Sequence, residues 1–414
     1  MDEYVRTEIL DSIAEDRNEI LEFTKTLVAI PSENPPGVYY RQCAEAIRGK
    51  LTEIGLDSDV IEVPDHPSSG QPRYCIQSGY GTGARTLYFH GHYDVVPASG
   101  KHQFNPAVKG ANLYGRGSSD MKSGLAAMIY AVKAIRTAGV KLDGKIGLTI
   151  VPDEETGGLL GSKYLSDAGI LGKNGIGMLI PEPTDGIIWN ANRGAVSLQI
   201  TVRGKAAHVG RHYRGSNAFE KMIAVANELM ALKKEVTSRT TGYNIKPDPA
   251  RQSILMMGGR GEGGSNFNLV PERFTFTLDR RINPEEDLGT EKKRLLDVLE
   301  TLKNDGIDLD VEILQEGESA GVSEDTSLAR SLGQSIESVT GIVPEFEMCP
   351  GLLEIRFYAK KDIPALAYGP GFLSVSHGPD EFVRIENIYT CAAVYALTAL
   401  DLLVDKGASY ETEN

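Results

Sequence analysis

The chain has 414 residues, 41% of them hydrophobic and 24% charged, with a formal net charge of −14. That composition is ordinary for a globular protein of about two domains, and the acidic balance, with no basic cluster to follow phosphates, excludes a nucleic-acid partner. Four cysteines (Cys43, Cys75, Cys349, Cys391) form no Cys-x-x-Cys pair or disulfide framework, and Met1-Asp2-Glu3-Tyr4-Val5-Arg6 lacks a leader pattern, so a reducing, cytoplasmic setting is expected.

Residues 8–29 carry an amphipathic helical pattern and lead into the loop Ile30-Pro31-Ser32-Glu33-Asn34-Pro35-Pro36. Residues 42–54 predict a second helix, closed by Gly55. Gly79-x-Gly81-x-Gly83 precedes a strand and not a helix, the wrong context for a dinucleotide loop. Strands and helices then alternate as far as Glu182, the grammar of an α/β domain with a mostly parallel sheet and helices on both faces.

After Asn192-Arg193-Gly194 the pattern changes. Residues 196–202 alternate with period two, residues 217–234 predict a helix capped by Ser216, and strands are expected at 252–257, 273–279 and 309–314. This predicts a smaller α+β domain over residues 195–317, inserted into a larger one formed by 1–194 and 318–414. The run Met256-Met257-Gly258-Gly259-Arg260-Gly261-Glu262-Gly263-Gly264 reads as a flexible connection between strands. A helix is expected over 326–339, and the apolar residues 389–400 are too few to span a membrane.

The chemistry lies at strand ends. Thr86-Leu87-Tyr88-Phe89 leads into His90-Gly91-His92-Tyr93-Asp94, and Ile146-Gly147-Leu148-Thr149-Ile150-Val151 into Pro152-Asp153-Glu154-Glu155. Gly177-Met178-Leu179-Ile180 leads into Pro181-Glu182, and Ile363-Pro364-Ala365-Leu366-Ala367-Tyr368 reaches His377 through a Gly/Pro loop. Ligands of open α/β sheets bind beyond the carboxyl ends of the strands, so these four deliver His, Glu, Glu and His to one edge. That is the donor set of a metal site. Asp94, two residues from His92, is the natural acceptor for the other ring N–H of that histidine. His90 reads as a buried structural residue, and His66, His102 and His212 as surface histidines.

The glycine-rich loop Tyr114-Gly115-Arg116-Gly117-Ser118-Ser119-Asp120-Met121-Lys122 opens a further helix. With it, six segments occur in order: His92-x-Asp94, Gly-Arg-Gly-x-x-Asp120-Met-Lys, Asp153-Glu154-Glu155-x-Gly157, Glu182-Pro-Thr, Gly204-Lys-Ala-Ala-His208 and His377-Gly-Pro-x-Glu381. Together they resemble the M20 family of dinuclear metallohydrolases.

The resemblance implies a catalytic α/β domain interrupted by a lid domain that also makes a homodimer contact. It implies that His92, Asp120 and Glu182 hold one divalent metal, and Asp120, Glu155 and His377 the other, with Asp120 bridging. Mixed N/O ligation suits zinc, and also cobalt or manganese. Glu154 takes the family's place of general base toward a metal-bridging water, and His208 that of an oxyanion donor reaching the partner subunit's site. Asn268 occupies a substrate-contact position, and Arg281, by the Asp-x-Arg spacing of Asp279-Arg280-Arg281, that of a carboxylate clamp; pairing of either arginine with Asp279 or Glu285 is the competing reading. Relatives line the substrate pocket with a small polar Gly/Ser-Gly-Thr-x-Asp segment. Here Pro350-Gly351-Leu352-Leu353-Glu354-Ile355-Arg356 stands instead, which keeps Gly351 as a pocket candidate and makes the pocket more apolar.

The expected activity is metal-dependent hydrolysis of an amide in an N-acyl amino acid. An exopeptidase acting on dipeptides or short peptides, and a non-catalytic binding relative, are the alternatives.

Overall fold

The computed structural model describes residues 3–64 and 71–404, so His66 lies outside the described residues. The chain divides into two compact units: Met1–Asn190, Val322–Phe346 and Glu354–Asn414 form one, Ala191–Gly321 and Glu347–Leu353 the other.

The larger unit is built on a mixed sheet. From one edge its strands run in the order Ser58–Val63, Arg73–Gly81, Lys145–Val151, Thr86–His92, Gly175–Ile180, Ala365–Ala367, and the sheet continues beyond the last of these with Ile188–Asn192. The four from Lys145–Val151 to Ala365–Ala367 are mutually parallel; Arg73–Gly81 pairs antiparallel with the first of them, and Ser58–Val63 antiparallel with Arg73–Gly81. Alternation along Thr86–His92 shows cover on both faces: Phe89 meets Tyr395 of the helix Ile385–Leu403 at 5.8 Å, whereas Tyr88 and His90 meet Tyr358 of the helix Ile355–Ala359 at 5.5 and 5.3 Å. The apolar run near the C-terminus is therefore core, and among the described residues no helix is long and apolar enough to cross a membrane.

Several local expectations shift. The first helical stretch is two helices, Glu3–Glu15 and Arg17–Val28, parted at Asp16, whose carboxylate pairs with Lys133 Nζ at 2.7 Å. The helix of the smaller unit, Ala218–Val236, is capped by Asn217 and not Ser216: Asn217 Oδ1 accepts from Phe219 N and Glu220 N at 3.0 and 3.3 Å, while the Ser216 backbone is bonded to Lys205. The glycine-rich run is not a flexible connection but most of the strand Ile254–Gly263, with a bulge between Met257 and Gly261. Hydrogen bonding to a partner strand overrides the weak local β preference of glycine.

The smaller unit has a four-stranded antiparallel sheet, in the order Ile254–Gly263, Arg273–Ile282, Gly194–Arg203, Leu309–Gly317. One face, carrying Val196, Leu198, Ile200, Val202, Phe276, Leu278 and Ile282, packs with the helices Ala218–Val236 and Leu288–Asn304. Arg280 occupies a position in that buried register and is fully buried. Its Nη2 donates to Glu286 Oε1 at 2.7 Å and Glu291 Oε2 at 2.8 Å, and Arg239 Nη1 reaches both glutamates at 2.7 Å. Burial works to raise the pKa of Glu291, but the two arginines outweigh it and hold the carboxyl below its ordinary value.

Removing one partner of a buried ion pair strands the other. Arg280→Met is expected to cost about 3–5 kcal/mol, read as faster amide hydrogen exchange in the strands Gly194–Arg203 and Arg273–Ile282 than in wild type. Because the glutamate pKa is depressed on folding, this stabilisation is complete above the ordinary value of 4.5 and is lost as pH falls through the lower folded value.

Candidate metal centre

The four parallel strands end on the same edge, and the candidate ligands stand there. His92 closes Thr86–His92. Glu154 and Glu155 open a short 3-10 turn after Lys145–Val151, Glu182 follows Gly175–Ile180, and His377 lies ten residues beyond the end of Ala365–Ala367. Asp120 precedes the helix Lys122–Thr137. Close approach there requires glycine. A Cβ on Gly124 would lie 2.4 Å from Pro181 Cβ, and one on Gly369 would lie 2.3 Å from the carbonyl oxygen of Glu182.

Two groups of side chains result, His92–Asp120–Glu182 and Asp120–Glu155–His377, with the ligand atoms of each within 4.8 Å of one another. Asp120 belongs to both and splits its oxygens between them. Its Oδ1 lies 3.4 Å from His92 Nε2, and its Oδ2 lies 3.2 Å from His377 Nε2, which is also 3.3 Å from Glu155 Oε2. Glu154 belongs to neither group, yet its Oε2 is 4.0 Å from His92 Nε2.

The electrostatics favour cations. Burial pushes the Glu154, Glu155 and Glu182 carboxyls up, and neighbouring negative charge adds to it, while the histidines oppose it in part. Burial also works to raise Asp120, but the His377 and His92 rings beside it hold it well below the usual carboxylate range. His92 Nε2, Asp120 Oδ1, Glu155 Oε1 and Glu182 Oε1 are buried without a hydrogen-bond partner among the described residues. Such atoms are costly to leave unpaired. Two groups of N and O donors that share Asp120, with orphaned atoms in both, fit a pair of divalent ions.

Asp94 stands at His92 as expected and takes on a second task. His92 Nδ1 lies 3.0 Å from the carbonyl oxygen of Asp94 and 3.3 Å from its carboxylate. The carboxylate also accepts from Glu154 N and Glu155 N, both at 3.2 Å, and from Asn34 Nδ2 at 2.8 Å. It thus holds the turn that carries both glutamates. Sequence reasoning missed Asn34, whose Pro-flanked loop carries no motif of its own. Asp153, beside Glu154, is buried too and is pushed up to about 8 by burial and then by Asp94. His90 is buried as expected, with Glu354 Oε2 at 2.7 Å and Ser162 Oγ at 3.0 Å from its Nε2.

The remaining candidates belong to the smaller unit. His208 is exposed, and its strand partner is Leu269; Val209 N donates to the Asn268 carbonyl at 2.9 Å, so His208 and Asn268 lie side by side. Arg281 lies on the sheet face opposite Arg280, and its Nε donates to Asp279 Oδ2 at 2.9 Å. The carbonyl of Gly351 accepts from Arg193 N at 3.1 Å. His102 and His212 are exposed.

Such a donor set at the end of a parallel sheet defines a metallohydrolase centre, and comparison with known proteins assigns the class. Residues 88–401 match the family model described as peptidase family M20/M25/M40, and the chain belongs to that family. It is a metal-dependent hydrolase that acts on amide bonds. A probable succinyl-diaminopimelate desuccinylase of Staphylococcus epidermidis is 26% identical over 401 residues, covering 89% of this chain and 94% of the relative. Human carnosine dipeptidase 1 superposes with a TM-score of 0.75 at 18% identity, over 96% of this chain and 98% of the other. The M20 family metallo-carboxypeptidase Sso-CP2 of Sulfolobus solfataricus gives 0.77 at 17% identity, over 92% and 98%.

Without cations His377 is pushed up to about 11 by its hydrogen bonds to Asp120 and Glu155. In His92 burial acts to lower the pKa, but Asp120 and Asp94 outweigh it. A metal bound through these nitrogens must displace the proton that the carboxylates favour there. Metal loading is expected to release protons and to strengthen as pH rises. Calorimetry in buffers of different ionisation enthalpy measures this; heat independent of the buffer would remove the histidines from the ligand set.

Proposed function

We propose that the chain is a deacylase that hydrolyses the amide bond of an N-acyl amino acid. The observation that carries this reading is the pair of ligand groups sharing Asp120, with Glu154 beside both and a member of neither. In this reading His92, Asp120 and Glu182 hold one ion, and Asp120, Glu155 and His377 the other. The mixed imidazole and carboxylate donors suit zinc, with cobalt or manganese as substitutes. Such a pair, when bound, would supply Lewis-acid activation of the scissile carbonyl and of the attacking water.

The protein's own groups handle the proton. Glu154, pushed up by burial and by the charges of Glu182 and Glu155, is a stronger base than a free glutamate. It takes a proton from the attacking water, whose oxygen bonds to the carbonyl carbon, and returns it to the nitrogen as the C–N bond breaks. Asp94 fixes this turn through the Glu154 and Glu155 amides. Arg281, held at its Nε by Asp279, offers its terminal nitrogens to the substrate carboxylate, with Asn268 and Gly351 as further contacts.

The inserted domain, residues 195–317, would serve as lid and as dimer contact. Exposed Phe219, Ile223 and Met230 on the helix Ala218–Val236, with Ile254 and Met256 on the edge strand, support that contact. In such a homodimer His208 donates to the oxyanion in the partner subunit's site.

Glu154→Gln is expected to keep its fold and its metals and to lose about 10²–10⁴-fold in kcat. Elemental analysis and steady-state kinetics on the same preparation check this, and a wild-type rate would assign the proton to another group.

The choice of deacylase over dipeptidase is supported by the desuccinylase relative, which matches over nearly its whole length; the dipeptidase likeness, at 18% identity, carries the fold alone. A panel of N-succinyl and N-acetyl amino acids beside unblocked dipeptides, each with zinc, cobalt and manganese, tests it. Turnover of the acylated substrates is expected to exceed that of the dipeptides. The reverse preference would make the chain an exopeptidase, and no turnover of either a binding relative.

A further inference from the structure

We propose that Glu381 is a positioning residue for the metal centre, which with Arg116 holds the His377 arm against the Asp120 loop so that the Asp120–Glu155–His377 group retains its ion. The inference rests on the metal reading above.

One carboxylate carries the charged part of this connection. Glu381 is 2% exposed, and its Oε1 accepts from three backbone amides of the Asp120 loop: Gly117 N at 2.9 Å, Ser119 N at 3.0 Å and Asp120 N at 3.1 Å. Its Oε2 pairs with Arg116 Nη1, and Arg116 Nη2 donates to the carbonyl oxygen of His377 at 3.0 Å. The loop that supplies one ligand and the arm that supplies another are thereby tied through a buried ion pair, and Ser119 Oγ adds a second link, accepting from Phe372 N at 2.7 Å and donating to the Phe372 carbonyl at 3.1 Å.

The two ligand groups depend on this tie unequally. His92 ends a central strand, Glu182 follows another, and Asp120 directly precedes the Lys122–Thr137 helix, with Lys122 N bonded to Gly117 O at 2.9 Å. His377 has no strand or helix beneath it. It lies in a loop at φ 66°, and its side chain is 50% exposed. Of the bonds that hold the arm, the charge-assisted one from Arg116 falls on the carbonyl of His377 itself, whereas Ser119 bonds Phe372 and Gln103 Nε2 reaches the Gly378 carbonyl at 3.0 Å. Loosening Glu381 frees Arg116 and lets the arm drift, while His92 and Glu182 stay in place.

The test is a cobalt(II) titration of the full chain after chelator treatment, followed by visible absorption and fitted to two sites. The proteins are wild type, Glu381→Gln, Arg116→Lys, His377→Ala and the Glu381→Gln/His377→Ala double variant. Glu381→Gln is expected to weaken one site about 10–100-fold and the other by less than about threefold, the range for groups that orient metal ligands. Arg116→Lys keeps the charge without the two-pronged reach and should weaken the same site. His377→Ala should abolish that site, and adding Glu381→Gln to it should leave the affinity of the surviving site unchanged.

Equal weakening of both sites, no change in either, or further loss in the double variant would overturn the proposal. A wild-type protein that binds no cobalt would overturn the metal reading itself, a separate outcome. If circular dichroism shows Glu381→Gln unfolded, Arg116→Lys is judged by the same criteria, alone and with His377→Ala.

Discussion

Charge compensation at one edge of the central sheet is the constraint on which the rest of the larger unit depends. Asp120, Glu154, Glu155 and Glu182 converge in a largely buried space, and burial raises the cost of each negative charge. Two histidines offset part of that repulsion in the cation-free protein, and a pair of divalent ions would offset it more fully. The site is thus held in a form that is uncomfortable without cations, and metal binding and stability are linked.

The scaffold that tolerates such a site is rigid in the right places. Parallel strands bring His92, Glu154, Glu155 and Glu182 to one edge because their carboxyl ends point the same way. The loops between are then held by carboxylates that bind no metal in this reading. Asp94 receives the amides of Glu154 and Glu155, and Glu381 those of Gly117, Ser119 and Asp120. In both cases a buried side chain satisfies backbone N–H groups that a turn would otherwise leave unpaired. The same physics appears in the smaller unit, where Arg280 occupies an apolar register and is made tolerable by Glu286 and Glu291.

Much of this could be read from residue order. The four strand-end motifs, the glycine-rich loop before Asp120 and the period-two alternation of residues 196–202 rest on local rules of burial and turn chemistry, and each has its counterpart in an observed element. The helix cap at 216 was one residue early, because Ser and Asn cap almost equally well and only the Lys205 bridge removes Ser216 from competition. Residues 256–264 lack a side-chain pattern, so nothing local reveals the neighbouring strand that makes them part of a sheet.

By itself the sequence determined the kinds of donor, their order and their attachment to strand ends, since these follow from short-range periodicity and spacing. Only the tertiary structure decided which groups meet. It divides the two oxygens of Asp120 between His92 and His377, and sends the carboxylate of Asp94 to the Glu154 turn while its carbonyl faces His92. It also places Arg280, and not Arg281, in the buried register. Glu381 is the plainest case. The three partners of its Oε1 lie 264, 262 and 261 residues away, and all are backbone amides, which every residue but proline possesses. A contact made to the main chain leaves no trace in the identity of the residue contacted, so no reading of side chains in order could have found it.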